Sequence, residues 1–284
     1  MTKMLVTGAT GFIGTHLVAK LREHQHEVFT ANSKSGDIAD NSTWLAFPDT
    51  EIVIHLAGKT FVPDSWTCPG DFLRTNLQGT ICALNYCRER KGRLIFMSSY
   101  LYGVPEKLPI SECDSLHANN PYALSKKLAE EACRFYSDYY EVNVTVLRPF
   151  NIYGPGQNTK FLIPSIIEQI AGGVALKVKD LEPKRDYVYI DDLVEAFLNV
   201  IERPRRFDIF NIASGTSHSV GEVIHLIQNI AGKNLPVLSD GERRKEEVMD
   251  TRADITHARE ILGWHPRWSL SAGCARILQE KKMA

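Results

Sequence analysis

The sequence predicts an α/β fold: a doubly wound parallel sheet covered by helices on both faces, followed by a small C-terminal lobe. Three observations point there. Strand-like and helix-like segments alternate at short intervals through the first half of the chain. A glycine cluster separates the first such strand from the first such helix. After Arg148 the texture changes: Pro149, Gly154, Pro155, Gly156 and Pro164 mark a boundary loop, and the later segments are shorter and more mixed.

In chain order, residues 4–7 read as a buried strand. Residues 12–24 carry helical periodicity through Phe12, Ile13, Leu17, Val18 and Leu21, and residues 27–31 make a second strand, completing a βαβ unit. Residues 52–56 continue the sheet, 72–90 form a long helix, 93–97 a strand, 122–136 a helix and 142–148 another strand. The lobe begins with a helix near 161–170 and a strand near 175–178, and takes in the tail from about Val220. Residues 207–212 read as a strand that returns to the main sheet. The expected division is therefore 1–155 with 207–212, against a lobe made of 156–206 and 213–284.

The 284 residues are enough to bury a sizeable core, and 44% hydrophobic with 24% charged residues excludes disordered, fibrous and low-complexity chains. Lys+Arg number 33 and Asp+Glu 34, a formal charge of -1, so no whole-chain field attracts nucleic acid or an anionic membrane. Any anion must be caught locally. Cys68, Cys82, Cys87, Cys113, Cys133 and Cys274 form no C-x-x-C pair, and no His is spaced to complete a zinc site. No metal is expected, and the thiols read as reduced in a cytoplasmic protein. Charges interrupt every apolar run short of the ~20 residues needed to span a bilayer. The apolar stretch 4–18 carries three glycines and no small-residue cleavage site, unlike a signal peptide.

Gly8, Gly11 and Gly14, in G-A-T-G-F-I-G, lie between the first strand and first helix. Glycines there permit a tight turn, let the backbone approach a pyrophosphate and allow helix to pack closely on strand; the helix start adds N–H groups and positive dipole. This arrangement predicts dinucleotide binding. The spacing G-x-x-G-x-x-G resembles the short-chain dehydrogenase/reductase family, in its extended, sugar-nucleotide-modifying branch of NAD-dependent epimerases and dehydratases, whose core is a Rossmann-type sheet. Gly36-Asp37-Ile38 resembles that family's adenine-contacting segment, His55-Leu56-Ala57-Gly58 the end of its next cofactor-facing strand, and Asn76-x-x-Gly79-Thr80 its mid-helix motif. The resemblance implies a cofactor site formed by Gly8, Gly11, Phe12, Ile13, Gly14, Asp37, Ile38, Leu56, Ala57, Gly58 and Asn76.

NAD enzymes place an acidic residue after the second strand to accept hydrogen bonds from the ribose 2′-OH. This chain has Asn32-Ser33-Lys34 there. With no carboxylate to repel it, a 2′-phosphate could sit beside Lys34 and the Ser33 hydroxyl, so NADP(H) is the expected cofactor. The alternative is NAD(H) held by Asn32, with Lys34 a solvated loop charge.

Tyr122 and Lys126, in P-Y-A-L-S-K, are four apart on an expected helix and project from one face. An ammonium near a phenol lowers its pKa from about 10 and makes it a usable acid or base. Ser98 follows the strand 93–97 at the edge where α/β enzymes place ligands. Together Ser98, Tyr122 and Lys126 resemble the family's Ser/Thr-Tyr-Lys triad. In the related pattern the hydroxyl lies four residues before the Tyr of a Tyr-Gly pair, here Tyr102-Gly103, which selects Ser98 with Ser99 the fallback. By that resemblance Tyr122 transfers the proton, Ser98 bonds the substrate oxygen and Lys126 grips the nicotinamide ribose. The family's 4,6-dehydratases carry acidic residues beside the catalytic hydroxyl; Ser99-Tyr100 stands here, so dehydration is not expected. Ser-Ser-x-x-Tyr is closer to the GDP-sugar 4-keto reductases, and Tyr100 occupies the place of an extra acid or of a packing aromatic.

Leu147-Arg148-Pro149-Phe150-Asn151-Ile152-Tyr153-Gly154-Pro155 resembles the family segment leading into the substrate lobe, with Asn151 as a substrate contact. Arg185, in R-D-Y-V-Y-I-D-D, resembles the arginine that binds the substrate pyrophosphate; guanidinium suits phosphate because it stays charged and donates two parallel bonds. Counting back from Asp254 and Leu262-Gly263-Trp264 places Arg243 on the second phosphate and Glu246 on the nucleotide ribose, against the alternative of a solvated basic run. Ser99 and Tyr100 complete the expected substrate contacts. The reading implied is a reductase of a nucleotide-linked 4-keto-6-deoxyhexose. The alternatives are a nucleotide-sugar 4-epimerase with tightly held NAD and, as a minor one, a non-catalytic nucleotide sensor. A homodimer through helices 72–90 and 122–136 is the expected assembly.

Overall fold

The computed structural model describes residues 1–241 and 247–283. Its elements are β1 (Lys3–Thr7), α1 (Phe12–Glu23), β2 (Glu27–Ala31), α2 (Asn41–Leu45), β3 (Ile52–His55), α3 (Val62–Thr67), α4 (Pro69–Phe72), a π-helical turn (Leu73–Gln78), α5 (Gly79–Arg90), β4 (Arg93–Met97), α6 (Pro121–Tyr140) and β5 (Val144–Pro149). There follow β6 (Asn151–Tyr153), α7 (Leu162–Gly172), β7 (Leu176–Val178), β8 (Lys184–Tyr189), α8 (Ile190–Glu202), β9 (Phe207–Ile212), β10 (Ser217–Ser219), α9 (Val220–Ala231), β11 (Val237–Ser239), β12 (Asp250–Thr251), α10 (Thr256–Leu262) and α11 (Leu270–Met283).

The chain divides into two compact units: 1–103, 114–149 and 194–210 in the first, and 104–113, 150–193 and 211–284 in the second. This differs from the sequence expectation, which assigned 194–206 to the lobe and 104–113, 150–155 and 211–212 to the main domain. The physical reason at 194–206 is a buried tether. Arg93 at the start of β4 donates to the carbonyls of Val200 and Ile201, the last turn of α8, where a cation also meets the negative end of the helix dipole.

The sheet of the first unit has the strand order β2-β1-β3-β4-β5-β9, and its neighbours from β2 through β5 pair in parallel, with Leu5 opposite both Phe29 and Val53. Strands covered on both faces need apolar residues throughout, which is why Met4, Leu5, Val6, Val53, Ile54, Ile95 and Phe96 are fully buried. Each such side chain contributes roughly 1.5–3 kcal/mol. Flanking helices cover this sheet. The expected long helix 72–90 is one helical stretch from Pro69, but it widens into the π-turn before α5, a local insertion of the kind that recurs at functional sites. Helix α6 runs four residues beyond its expected end. It starts where Asn120 accepts the Ala123 amide with Pro121 in the first turn, and stops at Glu141 in the left-handed region (φ 59°).

In the second unit β8 is the hub, pairing in parallel with β6 and β12 and antiparallel with β10. Helix α9, closed by a Ser219–Glu222 capping box, packs on α7 and α11.

Candidate active site

At the end of β1 the chain turns through Gly8 at φ +68°, where a Cβ would lie 2.8 Å from the Ala57 nitrogen. Gly14, in the first turn of α1, has no room for a Cβ either, because Ala9 Cα would be 2.7 Å away. The two glycines therefore let the helix start press onto the turn and the turn onto the end of β3. Gly11 caps α1 with no side-chain hydrogen bond, so the amides of the first turn, from Phe12, Ile13 and Gly14, lack a side-chain acceptor. A cradle of backbone donors that a Cβ would fill fits a dinucleotide pyrophosphate.

Beyond β2, Asn32 is folded into a tight turn: its Oδ1 accepts the Lys34 amide at 2.9 Å and its own amide donates to Ser35 Oγ at 3.2 Å. Ser33 and Lys34 are exposed, and no carboxylate stands at this strand end. Asp37 is placed one short loop further on, where its carboxylate accepts the Ala39 amide and the Arg74 guanidinium (Nη2–Oδ2 2.7 Å). Those bonds, the Ala39 amide first, hold its carboxyl below the usual carboxylate range. Ile38 packs against Gly79, and its carbonyl accepts the Trp44 indole N–H.

Asn76 is held by a set of internal hydrogen bonds. It is 1% exposed, and its amide is consumed internally: Oδ1 accepts the Lys59 amide at 2.8 Å while Nδ2 donates to the Lys59 carbonyl and to Ser125 Oγ. It braces the chain just after the Leu56-Ala57-Gly58 loop, and at Gly58 a Cβ would lie 2.9 Å from Asn76 Oδ1.

Tyr122 and Lys126 sit in the first turns of α6. Lys126 is 3% exposed; Nζ donates to the Met97 carbonyl at 2.7 Å and lies over the Phe96 ring. Burial pulls its pKa down to about 8. The phenol of Tyr122 moves the other way, pushed up to about 12 by burial, against the opposing effect of a hydrogen bond with Ser99. The Lys126 ammonium is directed to the Met97 carbonyl, and the opposing influence on the Tyr122 phenol comes from Ser99.

The structure separates the two candidate serines. Ser98, the residue selected by counting from Tyr102, is 4% exposed and donates its hydroxyl to Glu130 on α6; Ser99 is the one hydrogen-bonded to Tyr122. The reason is the strand pleat. Side chains alternate faces with period two, and Leu94 and Phe96 belong to the core beneath α5 and α6. The Ser98 amide still pairs with the Leu147 carbonyl at 2.8 Å, so its side chain continues that inward row. Counting by twos from Phe96 is the sequence signal that separates the two serines. Tyr100 is partly exposed and close enough for its hydroxyl to act on Tyr122 electrostatically.

In the second unit, Asn151 donates from Nδ2 to the Asp186 carbonyl at 3.1 Å. Asp186 is fully buried and accepts from Ser214, Gly215 and Ala253, a backbone clamp that explains an acid beside Arg185. Arg185 donates to the carbonyls of Lys184 and Val248 and pairs with Glu247. Glu247, the partner of Arg185, is not among the residues singled out in the sequence. Arg243 and Glu246 lie outside the described residues.

Residues 4–213 match the NAD dependent epimerase/dehydratase family. GDP-6-deoxy-D-mannose reductase of Pseudomonas aeruginosa is 32% identical over 301 residues, covering 98% of this chain and 96% of its own length. Among solved structures, RMD from Pseudomonas aeruginosa complexed with NADPH superposes with a TM-score of 0.91 at 30% identity, covering 100% of this chain and 99% of that one. UDP-glucose 4-epimerase with UDP-glucose from Thermotoga maritima gives 0.92 at 28% identity, covering 99% and 100%. The match across both units, with the glycine turn and the Tyr122/Lys126 helix in place, means that this chain belongs to the NAD dependent epimerase/dehydratase family and is an enzyme of the extended short-chain dehydrogenase/reductase type.

Proposed function

We propose that the protein reduces the 4-keto group of a nucleotide-linked 4-keto-6-deoxyhexose, with NADP(H) as the preferred cofactor. The observation that carries an oxidoreductase reading is geometric: Ser99 is hydrogen-bonded to Tyr122, and Lys126 follows one helical turn later on α6, so a phenol and a hydroxyl stand together where a keto oxygen can take up a proton. Cofactor bound on the glycine cradle would supply the hydride. Tyr122 then gives its proton to the keto oxygen as that oxygen gains negative charge, and Ser99 donates a second hydrogen bond to it. Lys126, buried within reach of Gly58, holds the ribose side of the cofactor and supplies positive charge below pH 8. The exposed Ser33 and Lys34, with no carboxylate beside them, favour a 2′-phosphate. The 32% identical GDP-6-deoxy-D-mannose reductase supports a nucleotide sugar of this kind as substrate.

The second reading is a nucleotide-sugar 4-epimerase, supported by the likeness to the Thermotoga maritima enzyme with UDP-glucose. A homodimer through α5 and α6 is part of the proposal, since α6 exposes Phe135 and Tyr139 at 50% and 72%, an apolar surface that a second copy would cover. Pure protein mixed with NADPH and a panel of 4-keto-6-deoxy sugar nucleotides tests the activity, with nicotinamide absorbance and sugar product followed together. Stoichiometric loss of NADPH with product is expected. Untouched NADPH, with UDP-hexoses interconverting without added cofactor, would establish the epimerase instead.

A further inference from the structure

Three rows of side chains in the first unit run toward the active-site end of the sheet, and all three turn polar at one level. On β4 the inward row Leu94, Phe96 continues to Ser98; on β5 the row Val144, Val146 continues to Arg148; on α6 the face carrying Ala129 and Cys133 also carries Glu130. At that level the side chains close into a buried network. Ser98 donates to Glu130, Arg148 donates from Nε to both Glu130 oxygens and from Nη2 to Oε2 at 2.6 Å, and Arg148 Nη1 donates to the Tyr102 hydroxyl at 2.9 Å. Ser98, Glu130, Arg148 and Tyr102 are 4%, 5%, 4% and 2% exposed. Ion pairs at such depth persist only with every member satisfied, and this one ties the ends of two strands, a helix and the turn at 102 into one frame.

The frame lies beside the groups that would move the proton. Glu130 is eight residues after Tyr122 on the same helix, about 12 Å along its axis. Ser99 follows Ser98 directly, and Lys126 holds the carbonyl of Met97 just before it. The segment Met97–Ser99 is thus held on both sides from α6, and the Ser99 hydroxyl is delivered to a phenol on that same helix.

We propose that Ser98 and Glu130 are positioning residues: their buried hydrogen bond fixes the register in which Ser99 meets Tyr122. The proposal rests on Tyr122 and Ser99 acting as the proposed function has it. Nothing in it requires Ser98 or Glu130 to touch substrate or cofactor.

The test uses the full chain with NADPH, tyrosine labelled at Cζ, and the Tyr122 resonance assigned by Tyr122→Phe. That resonance reports hydrogen bonding to the phenol whatever the substrate is. Ser98→Ala is expected to shift it in the same direction as Ser99→Ala, and to shift it no further in a Ser99→Ala background. In turnover, Ser99→Ala is expected to lower kcat about 100-fold and Ser98→Ala about tenfold with KM within about twofold, again with no added loss in the double variant. A resonance left in place by Ser98→Ala, or shifted equally with and without Ser99, overturns the proposal. Ser98→Ala leaves the Glu130–Arg148 pair intact; should it not fold, Ser98→Cys, a weaker donor of similar size, is read against the same two outcomes. Absence of turnover with every sugar nucleotide would sink the proposed activity while the resonance still decides the positioning role.

Discussion

Glu130 accepts three hydrogen bonds from the Arg148 guanidinium in a setting where each side chain is about nineteen-twentieths hidden from water. Burial works against the Arg148 charge, yet the carboxylate outweighs it and raises the arginine pKa above its ordinary value. Removing one partner leaves the other charged and unpaired. Glu130→Gln is therefore expected to cost about 3–5 kcal/mol of unfolding free energy, whereas replacing both residues together by methionines costs clearly less. Urea unfolding of the three proteins checks this; equal losses for single and double variants would refute it.

The proposed chemistry places the proton on Tyr122. Tyr122→Phe is expected to lower kcat by about 10²–10⁴-fold while NADPH affinity stays within about twofold, since only the hydroxyl is lost and the ring keeps its edge contact with Phe72. Steady-state kinetics with a substrate found in the panel, together with fluorescence titration of NADPH, separates the two quantities. A variant that turns over at the parent rate would exclude Tyr122 as the acid.

Much of this site was legible in the sequence where local geometry alone decides it. Gly8, Gly11 and Gly14 declare a turn because their spacing matches the backbone that must pass there, and Tyr122 with Lys126 declare one helical face. What was not legible depends on partners distant in the chain. The pleat of β4 tells Ser98 from Ser99, but that the inward Ser98 meets a carboxylate, Glu130, is written 32 residues away in the chain. Asn76 occupies the motif position expected, but only the fold reveals that Lys59 and Ser125 use up its amide. Residues 194–206 join the first unit through Arg93, whose bonds to Val200 and Ile201 span more than a hundred residues and leave no local mark.

Gly14 makes a prediction that separates packing from mere flexibility. The atoms a Cβ would meet at Gly14 are backbone atoms of Gly8 and Ala9, which cannot swing aside as a side chain can. Gly14→Ala is expected to cost about 1–3 kcal/mol and to weaken NADPH binding at least about tenfold by opening the turn. Gly172, near the end of α7, has nothing within 4 Å of its Cβ position, so Gly172→Ala serves as the control and leaves binding unchanged. Equal NADPH affinity in the two variants would rule out the close-packing account.

Lys126 predicts a pH dependence of cofactor binding. Its pKa of about 8 lies well below the ordinary lysine value because burial disfavours the ammonium. As pH rises through 8 the free protein loses that charge, so NADPH affinity is expected to fall on the alkaline side. Lys126→Met should bind NADPH weakly and without the step. An affinity flat from pH 7 to 9 in the parent protein would remove Lys126 from the cofactor grip.

His55 predicts how stability responds to acid. Its ring is fully buried between β1 and β4, with Nδ1 bonded to Thr7 Oγ1 at 2.9 Å, Nε2 without a partner, and Phe96 stacked on its face. Burial, aided by the Lys126 charge, pushes its pKa down to about 3. The unfolded chain takes up a proton at this histidine near pH 6.5, the folded chain only near 3, so the unfolded state binds more protons throughout that interval. The neutral ring's contribution is complete above pH 6.5 and is lost as pH falls, at about 1.4 kcal/mol per pH unit. Between pH 6.5 and 5 that amounts to about 2 kcal/mol. His55→Gln, neutral at every pH, is expected to flatten the stability profile by one proton over this window even if it lowers stability overall. Urea midpoints taken at steps from pH 7 to 5 give both slopes. Parallel profiles for parent and variant would mean that some other group carries the acid sensitivity.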